Sequence, residues 1–194
     1  MHDVQTSSPV HTSRALSPRS AGRWMVTFAG FPIGGYASYL IIGRVDSVLP
    51  ALLGGLITGA ALGAVQAWGF GRNRPPVATW IVATALGLMI GLGLGSALVD
   101  YDTSLSALVT QGAVTGLVVG LAQGVVLLPR LGRLAVAWPA FLAVTWAAGW
   151  AITTSAGIDV DKQFTVFGSS GALTVAALTL VLPYALNRKQ ETTR

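Results

Sequence analysis

The chain has 194 residues, of which 53% are hydrophobic and 10% charged, with 24 glycines, no cysteine and a formal net charge of +5. A soluble domain carries about a quarter charged residues, so this composition excludes a water-solvated globule, and the missing cysteines exclude disulfide and thiol chemistry. Six segments without Asp, Glu, Lys, Arg or His are each long enough to cross a bilayer, which takes about 20 residues, and they leave no room for a separate soluble domain.

In chain order, residues 1–22 are rich in Ser, Pro and Thr and lack an apolar signal-peptide core, so they read as a disordered tail. The predicted spans are Trp24–Ile42, Val48–Phe70, Val77–Val99, Leu105–Leu128, Leu134–Ala156 and Phe164–Leu186. Within hydrocarbon every backbone N–H and C=O must bond internally, so each span should be an α-helix. Continuous apolar runs, rather than alternating ones, argue against a membrane β-barrel. Pro32 should kink the first helix, Pro139 falls in the first turns of the fifth, and Pro183 lies inside the sixth. The domain reading is therefore a tail 1–22, an all-α six-helix transmembrane domain 23–187, and a short tail 188–194.

Charge sets the expected orientation. Arg14, Arg19, Arg23, Arg72, Arg74, Arg130, Arg133, Arg188, Lys189 and Arg194 fall on one side of the membrane, and Arg44 and Lys162 on the other. The positive-inside rule then puts both termini in the cytoplasm, in a cell inner (cytoplasmic) membrane. The acids Asp46, Asp100, Asp102, Asp159 and Asp161 lie in the three outer connections, where they could concentrate cations or simply solvate short loops. The basic excess is a topology signal and does not indicate nucleic acid.

The chain repeats itself. Trp24, Trp80 and Trp138 open the odd helices; eleven residues later come Gly35, Gly91 and Gly149, and then Asp46, Asp100 and Asp159. Gly54–Gln66 superposes on Gln111–Gln123, and the sixth helix restarts the pattern at Gly171–Thr174 before Val175, Thr179 and Leu182 replace two glycines and the glutamine. The expected architecture is three parallel two-helix repeats, about 23–76, 77–133 and 134–187, with pseudo-threefold symmetry about the membrane normal and glycine-zipper packing. The plan is similar to that of the mitochondrial carriers, but their proline, acid and base signature is missing from every odd helix.

Candidate functional residues follow from these stripes. Gly55, Gly59 and Gly63, Gly87, Gly91 and Gly95, and Gly112, Gly116 and Gly120 each line one helix face, for internal packing or for a partner subunit or second copy. Thr58, Thr115 and Thr174 could form a hydroxyl ring at mid-depth, or each could bond its own helix. Gln66 and Gln123 could bind a polar solute or act as interhelical glue. Trp24, Trp80, Trp138 and Trp68 read as interfacial anchors, and Trp146 and Trp150 as core packing. Both histidines lie in the tail, and no span holds an acid or a lysine, so no metal site, cofactor site, proton relay or catalytic pair is expected. The favoured expectation is a non-enzymatic accessory, assembly or scaffold subunit of a membrane complex that docks through its glycine faces. The alternative is a small permease or channel for a neutral or small polar solute.

Overall fold

A computed structural model describes residues 17–158 and 168–192, with side chains through 188. Among the described residues all regular structure is helical, and six helices are long and apolar enough to cross a membrane: Pro18–Ile42, Val48–Gly69, Val77–Leu98, Leu105–Leu131, Arg133–Ser155 and Ser169–Arg188. The protein is a polytopic membrane protein.

The first span starts inside the segment read as a tail. Ser17 caps it, its hydroxyl accepting the Ser20 amide at 3.2 Å, with Pro18 in the first turn where a missing N–H costs nothing. The span consists of α1 (Pro18–Met25), a 3-10 turn (Val26–Ala29) and α2 (Gly30–Ile42). Pro32 explains the turn, because its ring would meet the carbonyl four residues back, at Phe28. The next four spans, α3 (Val48–Gly69), α4 (Val77–Leu98), α5 (Leu105–Leu131) and α6 (Arg133–Ser155), are continuous. Pro139 sits within α6 without breaking it.

The sixth span is broken into α7 (Ser169–Leu178) and α8 (Val181–Thr192), with a turn at Thr179 and Leu180. Pro183 again accounts for the break, four residues after Thr179. The helix runs on through residues expected to be a tail. Its expected start at Phe164, like Asp159, Asp161 and Lys162, lies outside the described residues.

Each span packs on its neighbours in the chain, and α7 returns to the first span, where it meets α1, the 3-10 turn and α2. The result is a closed ring of six. Aromatic side chains fill its interior, with Trp24, Phe31, Phe70, Trp80, Trp138, Trp146 and Trp150 all buried in one core cluster. Phe31 of the first span meets Trp146 of the fifth edge-on, with centroids 5.4 Å apart. The outer surface is apolar as well, with Ile41, Val125, Val136 and Val144 exposed, which suits hydrocarbon and not water.

The end that carries the start of the first span and the finish of the sixth is laced by polar contacts. The Arg23 guanidinium donates to the Trp68 carbonyl at 2.5 Å and lies 4.8 Å over the Trp68 ring. Arg130 donates to the Asn73 carbonyl at 3.1 Å, and the Asn73 amide donates to Asn187.

Candidate functional site

The polar side chains nearest this arginine-rich end form a paired layer. Trp80 donates its indole N–H to Gln66 Oε1 at 3.2 Å, and Trp138 donates to Gln123 Oε1 at 3.0 Å. The Gln123 amide donates to Thr84 Oγ1 at 3.0 Å and to Gln66 Oε1 at 3.4 Å, while Thr84 donates to the Trp80 carbonyl at 2.9 Å. In the sixth span Trp24 finds Thr179 Oγ1 at 3.1 Å, and that hydroxyl donates to the Val175 carbonyl at 2.7 Å.

The three tryptophans are therefore not interfacial anchors. They are buried because each indole N–H has an oxygen to donate to on a neighbouring span, which removes the reason for it to seek the headgroup layer. Trp68, about half exposed, keeps the anchor position. Nothing in the sequence pattern marks Thr84, and the repeat aligns Thr179 with a glycine of the stripe. Thr179 carried a signal, as a polar residue near the site where the other even helices place glutamine.

The nine striped glycines are all buried between spans of this chain. A Cβ added at Gly55 would lie 2.6 Å from the Leu88 carbonyl oxygen, and one at Gly59 2.7 Å from Ala85 Cα. Gly63 faces Ile81 and Thr84. Gly112, Gly116 and Gly120 face Trp150, Leu142 and Pro139 of the fifth span; Gly87, Gly91 and Gly95 face Val119, Thr115 and Gln111 of the fourth. In this chain the nine positions are taken up by contact between its own spans. The register also needs a correction in the first hairpin. Gly34, not Gly35, stands against Thr58 as Gly91 stands against Thr115, because the 3-10 turn intervenes after Trp24.

The threonine ring does not form through hydrogen bonds. Thr115 donates to its own helix at the Gln111 carbonyl (2.8 Å) and to Gly91 (3.1 Å), and Thr174 donates to the Ser170 carbonyl at 2.9 Å. Thr58 is fully buried and its hydroxyl has no partner. It shares that state with Ser38, Ser96, Thr153, Thr154 and Ser170.

No protein family, no curated protein and no solved structure matches the chain. Among the described residues no group of three His, Cys, Asp or Glu side chains could hold a metal ion. Of the loop acids, Asp102 is held by the Ser104 hydroxyl at 2.7 Å and the Ser104 amide at 3.1 Å, which keep its carboxyl below the usual carboxylate range. Ser104 caps the fourth span, so this acid serves a helix start. Asp46 accepts the Ser47 hydroxyl at 3.2 Å.

Proposed function

We propose that the protein is a non-enzymatic facilitator of a cell inner membrane, with both termini cytoplasmic, that moves a small uncharged solute through the ring of six helices. One observation carries this reading: the two spans interrupted by proline, the first and the sixth, lie side by side, while the other four are continuous. Membrane transporters build their sites at discontinuous helices, where freed backbone groups face a cavity. Spans two to five would be the fixed frame, with glycine-zipper contacts and the repeat symmetry keeping it rigid. The first and sixth would move against it. The paired layer of Gln66, Gln123, Thr84 and the three tryptophans would be the cytoplasmic closure. The absence of charge in the apolar runs favours a neutral solute, since a driven transporter usually keeps an ionisable group at depth.

The test is solute flux in proteoliposomes, followed by stopped-flow light scattering with glycerol and urea gradients. Vesicles holding the protein should equilibrate faster than empty ones, and Pro183→Ala, which lets the sixth helix close, should slow them. Flux equal to that of empty vesicles would overturn the proposal. So would a stoichiometric partner retained in gentle detergent together with flux that Pro183→Ala leaves unchanged.

A further inference from the structure

The turn that joins the second span to the third gathers arginines from several segments. Gly71–Asn73 form a single 3-10 turn at the arginine-rich end, with Arg72 inside it and Arg74 directly after it. Arg23 of the first span reaches it from one side. Besides its bond to the Trp68 carbonyl at 2.5 Å, its Nη1 lies 3.2 Å from where a Cβ on Gly71 would stand. Arg130, near the end of the fourth span, reaches it from the other side and donates to the Asn73 carbonyl at 3.1 Å. Two residues of chain span at most about 7 Å, so the two guanidinium groups bracket one short turn. Arg133 follows Arg130 across Gly132, and all five arginines are exposed.

Protein surfaces ordinarily intersperse acids among such cations. These segments offer none: the sequence has no Asp or Glu from residue 4 to 45, from 47 to 99 or from 103 to 158. Asp46, Asp100 and Asp102 belong to the opposite ends of the helices. Capping of helix-end carbonyls accounts for Arg23 and Arg130, each of which commits a single N–H to a carbonyl and keeps the rest of its fork. It does not account for Arg72, Arg74 and Arg133, which make no hydrogen bond with another described residue. Topology explains the sign of these charges, but not their convergence on one turn.

Their depth identifies the anion they suit. Trp68, Val77, Leu128 and Leu134, close to them in sequence, are apolar and exposed, so the arginines rim the edge of the lipid-facing surface. Phospholipid phosphates lie at that level. A free phosphate would meet the same guanidinium groups but none of the apolar surface.

We propose that Arg23, Arg72, Arg74, Arg130 and Arg133 form a binding site for an anionic phospholipid. Guanidinium groups pair with phosphodiester oxygens through charge-assisted, often twofold hydrogen bonds, and basic pockets at the ends of membrane helices hold anionic headgroups in this way. The acyl chains would continue over the exposed apolar side chains. A headgroup held there ties Arg23 of the first span to the loops of spans two to five. The site does not depend on the transport reading.

The probes are phosphatidylglycerol and phosphatidylcholine with brominated acyl chains, diluted at equal mole fraction into phosphatidylcholine vesicles that hold the protein. Bromine quenches tryptophan on contact. Trp68 is half exposed and the other five tryptophans are buried, so the part of the signal that Trp68→Phe removes reports this site. Brominated phosphatidylglycerol should reach half of its quenching at a mole fraction about tenfold below that of the brominated phosphatidylcholine. Arg72→Gln with Arg74→Gln, folded by size exclusion, should lose most of that difference, and Arg133→Gln in another loop should move it the same way. Arg44→Gln with Lys162→Gln removes the same charge at the other end and should leave the difference intact. Equal quenching by the two lipids overturns the site, as does a preference that survives the loss of Arg72 and Arg74. Abolition of the preference by inorganic phosphate at constant ionic strength would give the arginines to a free anion and overturn the lipid assignment.

Discussion

Spans two to five and the junction between spans six and one solve the same packing problem differently. In the first region glycine brings backbones together, so that even a methyl group at Gly55 or Gly59 would press on main-chain atoms of the next helix. Contact area of this kind drives association in lipid, where no hydrophobic effect acts between helices. At the junction two proline-interrupted helices meet, and the sixth has Val175 and Thr179 where its counterparts have glycine. There the Trp24 indole N–H donates to Thr179 Oγ1, a hydrogen bond that joins the two broken stretches.

The largest effect that can break this contrast is overpacking of the frame. Gly59→Leu or Gly116→Leu should cost about 1–3 kcal/mol or more and reduce the folded yield on size exclusion, while Val125→Leu on the exposed surface should not. Gly22→Ala sharpens it, because nothing lies within 4 Å of that glycine. A methyl group there should stabilise the helix by up to about 1 kcal/mol. Equal behaviour of Gly59 and Gly22 would end the distinction.

Next comes a comparison of the polar pairs. Gln123→Leu strands the Trp138 indole and a partner of Thr84, and should lower thermal stability by about 1–3 kcal/mol. Thr179→Val at the junction removes one interhelical bond, and should cost about 0.6 kcal/mol, the average in a membrane. A larger loss at Thr179 would place the tighter contact at the junction.

Smaller effects lie in the loop that joins the third and fourth spans. Tyr101 has φ +58°, a left-handed conformation that bulky residues adopt at a cost. Tyr101→Gly should therefore raise the unfolding temperature, by about 1 kcal/mol of strain relieved, less the entropy glycine adds to the unfolded chain. The smallest effect belongs to Asp102. Its carboxyl is depressed by Ser104, so its contribution is present above the unfolded carboxylate pKa and is lost as pH falls through the folded value. Asp102→Asn should flatten that acid limb in a pH series of melting temperatures and change little at neutral pH.

The spans were legible because length and charge depletion are local properties of the chain. The proline positions in the first and sixth spans were legible too, since proline acts on the carbonyl four residues back whatever surrounds it. Which helix face lies inside was harder to read. Lipid and core are both apolar, so a span buried on one side carries no clear polar stripe. Position near a span end therefore points to an anchor at Trp80, although Gln66, fourteen residues earlier, accepts its indole N–H. Thr179 takes the glutamine's part by function and not by register, since the repeat aligns it with glycine. The unpaired state of Ser38 and Thr153 depends on rotamers and neighbours, which no spacing in the sequence encodes.

The 3-10 turn in the first span has a consequence for how the hairpins should be aligned. Such a turn advances about 120° and 2.0 Å per residue, against about 100° and 1.5 Å in an α-helix. Over Val26–Ala29 the additional rotation is close to one α-helical residue, and so is the additional rise. Ten residues from Trp24 to Gly34 thereby reach the same angle and height that eleven cover from Trp80 to Gly91. The turn thus makes up, in rotation and rise, for the one residue fewer that separates Trp24 from Gly34 than Trp80 from Gly91. An alignment of the first hairpin on the second therefore needs a single gap at the turn, and inserting one alanine there, with Pro32 replaced, should relax the turn to a regular helix and leave Gly34 facing Thr58.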